Sequence, residues 1–340
     1  MIPRKPDAPT IRDVAREAGV SIGTVSKALN KTGAIAADTR ARVEQVAERL
    51  QFRANALAKS LQSGLSGSIG LISNDSFGRF TMPIMEGLEA VLAPQGIGVF
   101  MCNATDDPAR EAAHVAQLMA KQIDGIIVTA RRSDRRPSVH LEGLGIPVIY
   151  VFSHSDDANA LTLLPDDAGG ARLATAHLLQ TGRRRIAHIT GPDDFEAVRL
   201  RRAGYLAELA HSNLAPLPTL NGKWTEAWGR AAVAQLYGTG QANPDALFCG
   251  NDLIARGAID ALRELGRIVP DDVAVVGFDN WVVMAEACRP PLTSVDMNLS
   301  GLGAEAGRCM AAMIGGVAQH GQRLLPCTLV TRASTPSIGG

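Results

Sequence analysis

From Ser68 onward the chain alternates between two hydrophobic periods, and this alternation limits its fold more than any other feature. SIGLIS, IGVFMCNA, GIIVTA and PVIYVF are short β-rich apolar runs, separated by helical stretches such as MEGLEAVLAPQG and AREAAHVAQLMAKQ. A second series follows: RRIAHITG, DALFCGN and DVAVVGFDN, with LATAHLLQTG, VRLRRAGYLAELA and LIARGAIDALRELG between them. A strand that is apolar on nearly every residue has to be covered on both faces, which a parallel sheet flanked by helices provides. Two such series predict two similar α/β lobes. LSGLGAEAGRCMAAMIGG reads as one more amphipathic helix and LVTRAST as a final strand.

In open α/β sheets ligands bind beyond the carboxyl ends of the strands. The polar residues at those ends are Asn74 and Asp75, Asn103, Thr129, Asn251 and Asp252, and Asp279 and Asn280. Two facing lobes would gather them into one cleft. Amides and carboxylates there suit a ligand rich in hydroxyls, because each can pair with neighbouring OH groups and would go unpaired against an analogue lacking them. Asp252 is expected to cap the helix that follows it, not to face the cleft.

Residues 10–30, TIRDVAREAGVSIGTVSKALN, follow a different rule. Thr10 can cap a first helix, with Asp13 three residues on completing a capping-box-like start. Val14, Ala15 and Ala18 give that helix an apolar face, and Gly19 supplies the left-handed residue that ends it. Ser21 then caps a second helix, whose Val25, Ala28 and Leu29 turn inward while Ile22, Gly23, Thr24, Ser26 and Lys27 face out. Asp38 or Thr39 can cap a third helix carrying Val43, Val46, Ala47 and Leu50 at helical spacing. Two short helices joined by a Gly-containing turn form the helix-turn-helix that enters the DNA major groove, although the same pattern also fits a plain helical hairpin.

Charge separates those readings. The 34 basic and 34 acidic residues cancel over the 340-residue chain. Residues 1–62, however, hold 11 Lys/Arg against 6 Asp/Glu, leaving 23 basic and 28 acidic residues in the remainder. A basic head on an acidic body fits a DNA-binding domain joined to one that should not adhere to DNA.

The wording A-x-x-A-G-V-S-x-x-T-V-S-x-x-L-N resembles the lactose-repressor (LacI) family of bacterial transcription regulators, and the resemblance runs on through the linker and, less densely, to the C-terminus. It implies an α/β protein: an N-terminal three-helix helix-turn-helix head plus hinge helix, then a two-lobed periplasmic-binding-protein-like core of two parallel doubly wound sheets. The implied boundaries are 1–54 for the head, 55–67 for the hinge and linker, and 68–336 for the effector-binding and dimerisation core. Within the core, lobe 1 takes about 68–165 and 296–325, and lobe 2 about 166–295 and 326–336.

By this resemblance Ile22, Gly23 and Lys27 meet base edges and Ser21 and Thr24 phosphates, with Thr10, Ser26 and Asn30 in the same DNA-binding set. Gly23 stands where relatives often carry a longer base-reading side chain, and Lys27 where arginine, with its rigid bidentate fork, is common. In FRANALAKSLQSG, Asn55 would cap a hinge helix that folds on the operator. Leu61 would be wedged into the minor groove, with Ala58 and Lys59 at groove and backbone. Relatives usually have proline where this chain has Ala54. RLRRAGY makes Arg201 the arginine that grips the effector, CGND and GFDN place Asn251 and Asp279 at ligand positions, and Trp224 matches a tryptophan that stacks on sugars. Phe80 would form part of the opposite wall, and Asp75 completes the effector set. Phe152 stands where some sugar-binding relatives carry a carboxylate.

The remaining expectations follow from what is missing. No G-x-x-x-x-G-K-[ST], G-x-G-x-x-G after a strand, G-x-S-x-G or H-E-x-x-H occurs, so no enzyme and no cofactor is expected. The seven histidines are dispersed, and His177 is expected to face another helix or solvent. The five cysteines are scattered without a C-x-x-C pair, as free buried thiols in a reducing cytoplasm are. No run reaches transmembrane length and no signal-peptide core begins the chain, which predicts a cytoplasmic protein with no membrane partner. Nothing after Thr335 carries tetramerising heptads, so the expected assembly is a homodimer on a pseudo-palindromic double-stranded operator. The expected effector is a sugar or sugar-like metabolite acting on a repressor. A purine-like corepressor, an effector-independent regulator and a solute-binding protein stand as alternatives.

Overall fold

In the computed structural model the described residues are 9–29, 32–52, 64–134, 141, 143–157, 159–238 and 243–336. They fall into two units, residues 1–66 and 67–340.

The described residues of the head form three helices, α1 (Ile11–Ala18), α2 (Ile22–Leu29) and α3 (Ala37–Arg49). The capping box forms as the spacing predicts: Asp13 N–H donates to Thr10 Oγ1, and Thr10 N–H donates to Asp13 Oδ2 at 2.9 Å. Gly19 takes φ 66°, which a side chain bearing Cβ disfavours, and turns the chain into α2. Val14, Val25, Ala28 and Val43 are fully buried and close the small core, with Leu29 and Leu50 partly buried around it. The start of α3 corrects the sequence reading. Neither Asp38 nor Thr39 is the cap; the helix begins at Ala37 after Ala36, without a side-chain cap, and Asp38 falls in its first turn beside the positive helix end.

The described residues of 67–340 form two six-stranded sheets flanked by helices. The first contains β1 (Ser68–Ser73), β2 (Gly98–Asn103), β3 (Ile126–Thr129), β4 (Val148–Val151), β5 (Leu161–Pro165) and, returning late in the chain, a strand over Gly321–Leu325. Its helices are α4 (Thr81–Leu92) and α5 (Pro108–Ala120), and α6 (Asp167–Gln180) opens the second lobe. There β6 (Ile186–Thr190), α7 (Glu196–His211), β7 (Leu220–Asn221), α8 (Glu226–Gly238), β8 (Ala246–Cys249), α9 (Asp252–Glu264), β9 (Ala274–Asp279), α10 (Val282–Ala287) and β10 (Thr293–Asp296) follow in order. The chain then recrosses through α11 (Leu299–Ile314), β11 (Gly321–Leu325) and β12 (Thr328–Val330). The strand orders are β11-β5-β4-β3-β1-β2 and β12-β10-β9-β8-β6-β7.

All neighbours in both sheets are parallel except β12, which runs antiparallel to β10 at one edge. The final strand is also shorter than LVTRAST. Residues 332–335 instead run as irregular chain beside β10, with Thr293 N–H donating to Ser334 Oγ at 2.8 Å and Ser334 Oγ to the Val275 carbonyl at 2.6 Å. His177 joins this seam. It is buried and bonded to Thr335 Oγ1 at 2.8 Å, so it faces neither solvent nor a neighbouring helix alone.

Helix α4 packs on α11 with almost no gap. A Cβ on Gly303 would lie 2.0 Å from the Ile84 carbonyl oxygen, and one on Gly87 1.9 Å from that of Ser300. Glycine at both positions brings the backbones together and seats Leu88 and Leu302 in the first lobe's core.

Candidate functional site

On the head, Ser21, Ile22, Gly23 and Lys27 are exposed along one side of α2, with Thr24 and Ser26 partly buried beside them. The Ser21 hydroxyl accepts the Thr24 N–H at 3.1 Å and shares a 2.9 Å bond with Thr24 Oγ1, so the two hydroxyls set the helix start as a pair. Thr10 is similarly engaged, its Oγ1 donating to Asp13 at 2.7 Å. The Thr10 hydroxyl and N–H hold the Asp13 carboxyl below its ordinary value. Asn30 and the hinge residues Asn55, Ala58, Lys59 and Leu61 lie outside the described residues.

In the core, one cavity of about 140 Å³ lies between the lobes at the carboxyl ends of their strands. The first lobe lines it with Arg79, Phe80, Arg131, Arg132, Ser133 and Phe152; the second with Phe195, Ala197, Arg201, Trp224, Asn251 and Asp279. Five of the six predicted effector residues therefore converge there. Phe80 stacks on Phe152, with ring centroids 5.1 Å apart. On the opposite lobe Trp224 meets Phe195 edge-on at 5.7 Å. Gly191 makes room for that indole, since a Cβ there would come within 2.2 Å of it. Phe152 takes φ 53° at the end of β4, and its ring lies against Phe80.

Asp75 is the exception. Its Oδ2 accepts the N–H groups of Phe80 and Thr81 at 2.7 and 3.1 Å, so it fixes the start of α4 behind the cavity wall and does not line the cavity. An acceptor one or two residues into a strand-to-helix loop can satisfy the free N–H groups of the helix before it can reach a ligand. The helix cap falls on Asn251 and not on Asp252. Asn251 is the cap of α9, accepting the Ile254 N–H at 2.9 Å, while still bordering the cavity. Asp252 is the first helical residue, fully buried, and accepts from Ser294 Oγ at 2.5 Å and Trp281 N–H at 2.7 Å. Burial, then the charge of Asp279, raises the Asp252 carboxyl to about 7.

Arg201 is more deeply embedded than a ligand-gripping arginine need be. Its Nε donates to Asp167 Oδ1 at 2.8 Å and its Nη1 to the Gly250 carbonyl at 2.6 Å, with Asp279 Oδ1 3.6 Å away. The guanidinium lies 3.6 Å from the centroid of the Phe278 ring. Burial works against its charge, but Asp167 and Asp279 overcome this and hold Arg201 above the ordinary guanidinium value. Burial raises both of those carboxyls, against the pull of Arg201 on each and of Arg79 on Asp279.

The sequence reading did not include Arg79, Arg131, Arg132, Ser133, Phe195 or Ala197. Arg131–Ser133 lie one residue beyond the end of β3, so extending the strand-end rule a few residues into each loop would have reached them. Arg132 grips Asp134 through Nε and Nη2 at 2.6 and 2.9 Å and lies 3.7 Å from the Phe195 ring centroid on the other lobe. Asp134 Oδ2 accepts the Glu196 N–H across the cleft at 3.0 Å, at the start of α7, where Phe195 offers no side-chain cap. Among the described residues no His, Cys, Asp and Glu cluster could hold a metal ion, and no helix is long and apolar enough to cross a membrane.

Comparison with known proteins agrees with this geometry. Residues 10–55 match the family model described as bacterial regulatory proteins, lacI family, and residues 175–335 match the periplasmic binding protein-like domain. The HTH-type transcriptional repressor PurR of Haemophilus influenzae (strain PittEE) is 31% identical over 97% of this chain and 99% of its own length. The ribose operon repressor of Halalkalibacterium halodurans is 30% identical over 96% of this chain and 97% of its own. Among solved structures, the lac repressor dimer bound to operator and the anti-inducer ONPF matches with a TM-score of 0.76 and 27% identity, covering 97% of this chain and all of that one. A basic helix-turn-helix head, a two-lobed core and relatives matched over nearly their full length show that the chain belongs to the lacI family of bacterial regulatory proteins and is a DNA-binding transcriptional repressor of that family.

Proposed function

We propose that the chain is a small-molecule-gated repressor, bound as a homodimer to a pseudo-palindromic operator, whose effector is a flat ring metabolite of the purine-like class. One observation carries this reading: opposite lobes contribute aromatic walls, Phe80 on Phe152 and Phe195 on Trp224, to a single cavity bordered by guanidinium groups. Planar rings gain most from aromatic faces, and guanidinium N–H groups suit the oxo and ring-nitrogen acceptors at such a ring's edge. A sugar is the second reading. It is supported by Trp224, whose face suits the apolar side of a pyranose, and by the likeness to a ribose operon repressor.

The head reads bases through Ile22, Gly23 and Lys27, with Thr10, Ser21, Thr24, Ser26 and Asn30 at the backbone. Asn55, Ala58, Lys59 and Leu61 form the hinge contact in the minor groove. Half-exposed Phe100 and Met101 on edge strand β2, and Val282 and Val283 on α10, give the core apolar surface for a second copy. Effector binding acts through differential affinity for the two lobe arrangements, because a ligand with equal affinity for both shifts nothing.

The test is fluorescence anisotropy of the purified protein on DNA flanking its own gene, with hypoxanthine, guanine, D-ribose, D-glucose and D-gluconate added in turn. Binding strengthened by a purine supports the first reading, and binding released by a sugar the second. Tight binding indifferent to compounds that calorimetry shows entering the cleft would contradict gating. Leu61→Ala should weaken a palindrome with a central CG step much more than random DNA.

A further inference from the structure

Arg79 lies in the loop between β1 and α4, on the first lobe, but its guanidinium reaches across the cleft to donate to Asp279 at the end of β9. It is held there on two sides by rings. Its carbon centre lies 5.0 Å from the centroid of Phe80, on its own lobe, and 4.8 Å from that of Trp281, on the other. The side chains of Arg79 and Asp279 are 15% and 7% exposed. The Arg79 Nε is buried and makes no hydrogen bond. A flat hydrogen-bond donor, set between aromatic residues and paired with a buried carboxylate, has the form of a bound ligand.

We propose that Arg79 is a tethered occupant of the effector cleft, latching the two lobes at Asp279 until an effector displaces it. This rests on the reading of the cavity as an effector site. Displacement requires a ligand that offers N–H or O–H donors to Asp279, and the released guanidinium then serves an acceptor on the same ligand. The matching effector presents donor and acceptor atoms along one edge. A group that carries acceptors alone leaves the latch closed. Bonds at the rim are separate from the latch: Asp134 to the Glu196 N–H at 3.0 Å, and His154 to Glu196 at 3.0 Å. Without Arg79 only these rim bonds hold the lobes, so the cleft widens about them while the lobes stay joined.

The test needs no effector. In full-length Arg79→Ala, methylguanidinium should refill the place between Phe80 and Trp281. Millimolar methylguanidinium chloride should shift the tryptophan emission saturably and raise the melting temperature by a few degrees, relative to sodium chloride at equal ionic strength. Neither the wild type nor Arg79→Ala/Asp279→Asn should respond. A wild-type response of equal size, or none in Arg79→Ala, would overturn the latch. Arg79→Met, which keeps the apolar stem, gives a second measurement: small-angle scattering should show a larger radius of gyration than the wild type, and an unchanged radius also overturns it. A failed metabolite screen would leave both results standing, so the two ideas fail separately.

Discussion

Arg201 Nε donates to Asp167 Oδ1 at 2.8 Å, and both side chains are buried, at 5% and 2% exposure. The bond joins α7 to the first turn of α6, so Arg201 carries structure as well as any ligand contact. Removing one partner of a buried pair strands the other charge, which costs roughly 3–5 kcal/mol. Arg201→Ala should therefore destabilise the core by about that much, and Arg201→Ala/Asp167→Ala by less than the single change. Urea unfolding of the three proteins measures it. With Asp167→Ala added to the series, a double-variant loss equal to the sum of the two single losses would show that the pair is not coupled.

Trp224 borders the cavity with one edge against Phe195, while Trp228 Nε1 nearby donates to the Thr190 carbonyl at 2.9 Å. Trp224→Ala should weaken effector binding by about ten- to a hundredfold, on the order of 1.4–2.8 kcal/mol, while operator affinity without effector stays within twofold. Trp228→Ala should instead lower stability. Calorimetry against the compound found in the anisotropy screen separates the two.

The Asp252 carboxyl gives the core a pH dependence with a definite sign. Its folded value is raised to about 7 from an ordinary 3.8, first by burial and then by Asp279. The native protein thus holds a proton that the unfolded chain releases, and stability falls as pH rises between about 4 and 7. Asp252→Asn should flatten that segment of the curve and still accept the Trp281 N–H. Denaturant melts at pH 4.5, 5.5 and 6.5 would show the difference; parallel curves would assign the dependence elsewhere.

Gly23 costs the head stability without a steric need. It lies inside α2, and a Cβ there would meet only Ser21 Oγ, at an ordinary 3.7 Å. Gly23→Ala should stabilise the head by roughly 0.8–1.0 kcal/mol. If the glycine admits close approach of the backbone to DNA, the same change should weaken operator binding. Thermal melts and anisotropy report the two effects independently, and unchanged affinity would remove Gly23 from the contact surface.

Binding to DNA should also fall steeply with salt, with a log–log slope near −0.9 for each phosphate neutralised. The basic charge of residues 1–62 requires this. A slope near zero would contradict an electrostatic head.

The local patterns were legible because each depends on near neighbours in the chain. Thr10, Asp13, Gly19 and Ser21 announce the helix ends through hydrogen bonds and a φ angle that span three or four residues. The apolar runs at β1, β3, β4, β6, β8 and β9 announce buried parallel strands, and the polar residues after them mark the cleft. Strands β5, β10 and β11 were not separated from their surroundings, since their pairing is fixed by partners far along the chain. β11 alternates in exposure on a sheet edge, beside β5 some 160 residues earlier. The site divides in the same way. Phe80, Arg201, Trp224, Asn251 and Asp279 were identified from local wording, but the demands placed on them by the fold were not. Only packing decided that Asp75 would be consumed by the Phe80 and Thr81 amides, that Asn251 and not Asp252 would cap α9, and that Arg79 would cross the cleft to Asp279. Sequence determines which groups can donate, accept or turn the chain. Which donor meets which acceptor depends on distances between lobes that only the folded chain sets.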